Sequence, residues 1–271
     1  MSQLKIDGSV AKSWAALVYP HLHNAGFKGN NDAIARAVTD VCYGARKSAD
    51  MGYVVGPGGN WSVRLEDFMI IKGTGFRAET LVPSQNAIVN IGTGEAIMLP
   101  NITVKPSCEW PMHLALYNSR AIEEIAAVCH THCLNAMSFA TTAFNLYPSS
   151  PDFVAMLKTG KPIPKISYTF PASQELGQAV SSFTKTGFNA VLMGKHGVAV
   201  VAPNMELAFD RTQIVEDSAQ YWLNVMAMLS AGGIRVTNPA LRKYALSDQE
   251  CAALLGSDFE KLRQQMADGI Q

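Results

Sequence analysis

Apolar residues recur at helical spacing between about Ser9 and Asp50, first as Trp14, Leu17 and Val18 and then as Ile34, Ala37, Val38 and Val41. The stretch 26–31 divides them and its asparagines suit a helix N-cap, so two opening helices are expected. The pattern then shortens. Gly56-Pro57-Gly58-Gly59-Asn60 breaks the chain ahead of two short apolar runs, 61–64 and 69–71, which predict a hairpin. Residues 86–99 predict another, turning at 92–94, and Ser107 leads into a periodic stretch through Arg120 with Pro111 in its first turn, a predicted helix.

Residues 125–132 are apolar and β-branched enough for a buried strand, with a helix over 136–144 behind it. Four prolines surround a short apolar piece within 148–165, which predicts a surface excursion of the kind that covers a site. A helix is expected over 174–183. Strands at 191–193 and 198–201 should meet at Lys195-His196-Gly197, and a long helix should fill 206–229. The last helix, 248–266, begins where Ser247 and Glu250 fit a capping box. Helices alternate with short strands without a linker or a repeat, so the pattern describes one α/β domain whose helices cover a mixed or antiparallel sheet.

Composition sharpens this picture. The 271 residues exceed the usual ~100–200 per domain, but the absence of a linker argues for one unit. With 48% hydrophobic and 16% charged residues, the chain can build a large core and is not disordered. Twenty-two basic residues balance twenty-two acidic ones, which disfavours nucleic acid and anionic membranes as partners. No apolar run reaches the ~18–20 residues of a membrane span, and the first residues lack a signal-peptide core, so a cytoplasmic location is expected. Five cysteines without a Cys-x-x-Cys pair read as reduced thiols.

The six histidines carry the candidate chemistry. On a strand, His130 and His132 project from one face and can reach a common metal, while Cys129 and Cys133 face away and belong to a core. His21 and His23 follow a helical segment, where residues two apart diverge around the axis. His196 sits at a tight junction beside Gly197, whose missing side chain permits close approach. Three imidazoles make a metal site with an open position; three unrelated histidines are the plainer alternative. Glu109, at a helix start among apolar neighbours, suits proton transfer or simply favours the helix dipole. His113, four residues on, shares its face and has a packing or supporting role. Gly58-Gly59-Asn60 and Gly73-Thr74-Gly75 can present N–H groups to an anion, although neither matches a P-loop or a dinucleotide fingerprint.

In combination, Gly59-Asn60-x-Ser62, Thr74-Gly75, Pro106-Ser107-Cys108-Glu109, His130-x-His132 and Lys195-His196-Gly197 resemble the class II aldolase/adducin family in order and spacing. The resemblance implies a single three-layer α/β domain over 35–271, a central mainly antiparallel sheet flanked by helices, with 1–34 as a helical extension. It implies a homotetramer with sites at subunit boundaries. His130, His132 and His196 correspond to ligands of Zn2+, with Mn2+ or Co2+ as alternatives, and Glu109 to the catalytic acid/base. Gly59, Asn60, Thr74, Gly75, Ser107 and Cys108 correspond to phosphate-binding positions, and Tyr168 to a tyrosine that serves a neighbouring subunit's site. Cys108 stands where serine is common, and Lys195 where asparagine or histidine is usual.

The implied activity is retro-aldol cleavage of a ketose 1-phosphate to dihydroxyacetone phosphate and an aldehyde. A decarboxylase acting on a keto or hydroxy acid, or an epimerase or dehydratase, would use the same kind of metal. A non-catalytic adducin-like interaction domain is the alternative from a different class, and three intact histidines argue against it.

Overall fold

The computed structural model describes residues 6–99 and 103–256. Two helices open it, α1 (Gly8–Asn24) and α2 (Asn31–Asp50), each started by a side-chain cap: Asp7 accepts from the Ser9 amide and Asn30 from the Ala33 amide. Strands β1 (Asn60–Leu65), β2 (Phe68–Lys72), β3 (Asn86–Asn90), β4 (Ala127–Thr131), β5 (Lys165–Ile166), β6 (Ala190–Met193) and β7 (Gly197–Ala202) form one sheet in the order β3-β2-β1-β4-β7-β6-β5. Every pairing is antiparallel except β5 with β6. The remaining helices are α3 (Trp110–Tyr117), α4 (Leu134–Thr141), α5 (Pro151–Leu157), α6 (Gln174–Thr184), α7 (Met205–Ala231), α8 (Asn238–Arg242) and α9 (Asp248–Gly256).

Both faces of the sheet are covered, which is why its strands read as continuous apolar runs. Trp61, Ile70, Cys129 and Val200 face a core shared with α1, α2, α4, α5 and α7, while Ile71, Val128, Val191 and Ala199 face a second core under α3 and α6. The architecture is the expected three-layer α/β domain. The buried side chains of α1, Trp14, Val18 and Leu22, lie in the same core as those of α2.

Three expectations change in detail. The chain does turn at 92–94, where the Asn90 side chain accepts from the Gly92 and Thr93 amides, but the returning arm makes a single bridge, Val89 with Ala96, rather than a strand. The apolar piece within 148–165 is no lid: Ser150 caps α5, Pro151 occupies its first turn, and Phe153, Val154 and Leu157 are fully buried, with α5 packed on α7 and α9. The prolines mark a helix start and its flanks rather than a mobile cover. The helix expected through Arg120 ends at Tyr117. Ser247 and Glu250 do form the reciprocal cap of α9, whose expected course beyond 256 lies outside the described residues.

Candidate metal centre

The register of β4 places Asn60 of β1 opposite His130, and Ala199 of β7 opposite it on the other side. His130 therefore sits in the middle of the sheet, fully buried, on the α3 side, and Cys129 points into the opposite core as strand parity predicts. The chain leaves the strand at Thr131, and the His132 amide donates to the Tyr53 carbonyl. Two residues later α4 begins. Its first free amides, Asn135 and Ala136, donate to the Glu216 carboxylate from α7 at 3.0 and 2.8 Å, which pins the turn that carries His132.

His196 arrives on the turn between β6 and β7, closed by its own amide donating to the Met193 carbonyl. Lys195 adopts φ 56°, a left-handed conformation that asparagine tolerates better than lysine. Gly197 follows out of steric need, since a Cβ there would lie 2.2 Å from the Thr131 carbonyl oxygen and 3.1 Å from His130 Cε1. Gly58 similarly leaves room for His132, whose Nδ1 would be 3.1 Å from a Cβ.

These elements bring the three histidines together. Their ligand atoms lie within 4.8 Å of one another, the group of this kind found among the described residues. His130 Nε2 and His132 Nε2 are 3.1 Å apart. Glu109, at the N-terminus of α3, completes the cluster with Oε2 at 3.2 Å from His130 Nε2 and Oε1 at 3.1 Å from His196 Nε2. His130 Nδ1 is 3.0 Å from the Val198 carbonyl, so Nδ1 carries the hydrogen and Nε2 presents its lone pair to the cluster in the neutral ring. Lone pairs and a carboxylate thus converge, and Glu109 Oε1 and His196 Nδ1 are buried without a hydrogen-bond partner. Such a donor set fits a divalent cation bound by imidazole nitrogen.

Electrostatics follow the geometry. Burial alone would raise the Glu109 carboxyl, but the His130 and His196 imidazoles against it, when protonated, outweigh burial and hold it below the usual carboxylate range. Burial and the neighbouring imidazoles push His132 down to about 3, keeping it neutral as a ligand must be. His21 and His23 stay apart from this cluster on α1, His23 stacking on Tyr19.

Two of the anion-binding candidate segments are paired with each other, and a third adjoins the cluster. Gly73 bridges to Pro106, the Thr74 amide donates to the Lys105 carbonyl and the Ser107 amide to the Lys72 carbonyl, so Thr74-Gly75 and Ser107-Cys108 stand side by side. Thr74, Gly75 and Cys108 are exposed and Ser107 is buried. Gly59 has φ 70° and packs against the His130 carbonyl, while Asn60 is buried with its amide turned to Glu109. Tyr168 is not brought to the cluster: it is 56% exposed on the rim of a 540 Å³ groove with Lys165, Gly194 and Lys195.

Lys72, which the sequence reading passed over, is 2% exposed at the end of β2, and its ammonium donates to the Pro57 carbonyl at 2.9 Å. Burial pushes it down to about 8. A lysine closing the apolar run Phe68-Met69-Ile70-Ile71 was the available signal.

A sheet carrying a three-histidine cluster and a buried glutamate defines the class of protein. The model of the class II aldolase and adducin N-terminal domain matches residues 39–223, and the chain belongs to that family. L-fuculose phosphate aldolase of Escherichia coli K12 is 29% identical over 222 residues, 82% of this chain and 92% of that protein. The Haemophilus influenzae enzyme of the same name is 27% identical, over 82% of this chain and 99% of its own length. A solved L-fuculose 1-phosphate aldolase superposes with TM-score 0.67 at 25% identity, covering 84% of this chain and 96% of the other. A sugar-phosphate aldolase from Thermotoga maritima shares the fold with TM-score 0.64 at 24% identity, over 71% of this chain and 96% of its own. Among the described residues no helix is long and apolar enough to cross a membrane.

Proposed function

We propose that this protein is a metal-dependent class II aldolase, a carbon–carbon lyase that cleaves a ketose 1-phosphate to dihydroxyacetone phosphate and an aldehyde. The convergence of His130, His132 and His196 beside Glu109 carries the reading. His130, His132 and His196 would hold a divalent ion, Zn2+ or a similar one, which supplies positive charge to the substrate oxygens on which negative charge develops. Thr74, Gly75, Ser107 and Cys108, with the backbone at Gly59-Asn60, form the phosphate cradle, and Lys72 adds a buried cation beneath it. Cys108 is a weaker donor than serine there.

Glu109 is the proton carrier. It is a carboxylate within contact of two of the histidines, placed to return a proton to carbon after the bond breaks. Tyr168, exposed on its rim, is read as acting in the site of a neighbouring subunit of a homotetramer, at the aldehyde oxygen. Residues 35–271 would make the catalytic domain and 1–34 an N-terminal helical extension, although α2 runs unbroken across that boundary and α1 packs into the same core.

The test is an assay of metal-replete protein against several ketose 1-phosphates and, in parallel, unphosphorylated β-keto and hydroxyaromatic acids. Release of dihydroxyacetone phosphate supports the aldolase; carbon dioxide alone would replace it with a decarboxylase.

A further inference from the structure

Behind the cluster lies a line of buried polar side chains. Asn60 and Ser62 stand two apart on β1, hence on one face, and meet Glu109, His113 and Tyr117, spaced four apart along α3. Asn60 Nδ2 donates to Glu109 Oε2 at 2.8 Å, and Asn60 Oδ1 meets His113 Nε2 at 2.5 Å. His113 Nδ1 meets Ser62 Oγ at 2.6 Å, which in turn meets Tyr117 Oη at 2.7 Å. Asn60, Ser62, His113 and Tyr117 are each at most 3% exposed.

The proton order of this line follows from its end. A carboxylate only accepts, so the Asn60 amide must offer N–H to Glu109 and its carbonyl to His113. His113 Nε2 must then carry hydrogen, and in a neutral ring Nδ1 accepts from Ser62, whose oxygen accepts from Tyr117. Burial pushes His113 down to about 3, in keeping with a neutral ring. Every donor points toward Glu109. Oε2 is thereby held, while Oε1 accepts no hydrogen bond and lies 3.1 Å from His196 Nε2.

We propose that Tyr117, Ser62 and His113 are positioning residues, a one-way relay that locks the Asn60 amide and so fixes the Glu109 carboxylate with Oε1 free to exchange a proton with substrate. Reversing the His113 tautomer would turn the Asn60 carbonyl onto the carboxylate and repel it. The relay rests on the reading of Glu109 as the proton carrier, but its proton order does not.

The experiment therefore has two readouts. In metal-free, ¹⁵N-histidine-labelled protein, long-range ¹H–¹⁵N spectra should show His113 as the neutral Nε2–H tautomer, its signal identified by its loss in His113→Gln. Wild type with an Nδ1–H or doubly protonated His113 overturns the proposal, whatever the reaction proves to be. In metal-loaded enzyme, Ser62→Ala should lower kcat for proton exchange on dihydroxyacetone phosphate about 10-fold with KM nearly unchanged, and Ser62→Thr should restore it. Loss of thermal stability with kcat per bound metal unchanged would make the line merely structural. Wild type inert toward every ketose phosphate, with the tautomer as stated, would remove the aldolase reading and leave the relay standing.

Discussion

Glu109 touches two histidines and an amide, yet only one of its oxygens is hydrogen-bonded. Glu109→Gln keeps the shape and removes the charge, so metal content should stay near wild type while solvent-proton exchange on dihydroxyacetone phosphate falls by on the order of 10²-fold or more. Isotope incorporation measured by NMR checks this, and undiminished exchange would take Glu109 out of the reaction. His113 gives a second prediction. Its native value lies near 3, below the ~6.5 of an unfolded chain, so between those values the unfolded state binds the additional proton and stability declines as pH falls. Urea unfolding of metal-free protein at pH 7, 6 and 5 should show this decline, and His113→Gln should flatten it by about one proton.

Among the elements, the β4–β7 pair depends most on a single missing side chain. Gly197→Ala would drive a methyl into the Thr131 carbonyl at 2.2 Å, so the pair must open. A loss of about 1–3 kcal/mol in urea unfolding is expected, together with weakened metal retention because His130 and His196 flank the same contact. Wild-type stability and metal content in that variant would contradict the packing described. The elements also show what a sequence makes legible. Strands β4, β6 and β7 are buried on both faces and announce themselves as apolar runs, and parity on β4 suffices to put His130 apart from Cys129. The burial of Phe153, Val154 and Leu157 is different, because it depends on α7, which lies some fifty residues further along the chain. Lys72 was missed although its apolar run marked it, because the Pro57 carbonyl that holds it lies fifteen residues back in the loop before β1, and neither segment alone shows that they meet. The relay was half visible, as Asn-x-Ser on a strand and Glu-x3-His-x3-Tyr on a helix, but nothing in either segment says that they face each other.

For the whole molecule, both faces of the sheet are occupied by helices, so association between copies cannot use a bare sheet face and is left to the outer helix faces, the edges and the loops. The 540 Å³ groove at Lys165, Tyr168, Gly194 and Lys195 and the exposed Phe170, at 73%, lie on one such rim. Analytical ultracentrifugation should show a tetramer, and Tyr168→Phe should slow aldehyde release more than proton exchange on dihydroxyacetone phosphate. A monomer with full cleavage activity would detach Tyr168 from the site. One ion held by three histidines and serving proton transfer at carbon is the centre of the proposed chemistry. Protein stripped with a chelator and reloaded with Zn2+, Mn2+ or Co2+ should bind one ion per chain and, in deuterated water, incorporate deuterium into dihydroxyacetone phosphate only when loaded. One bound ion per chain with no incorporation under any of these metals would contradict it.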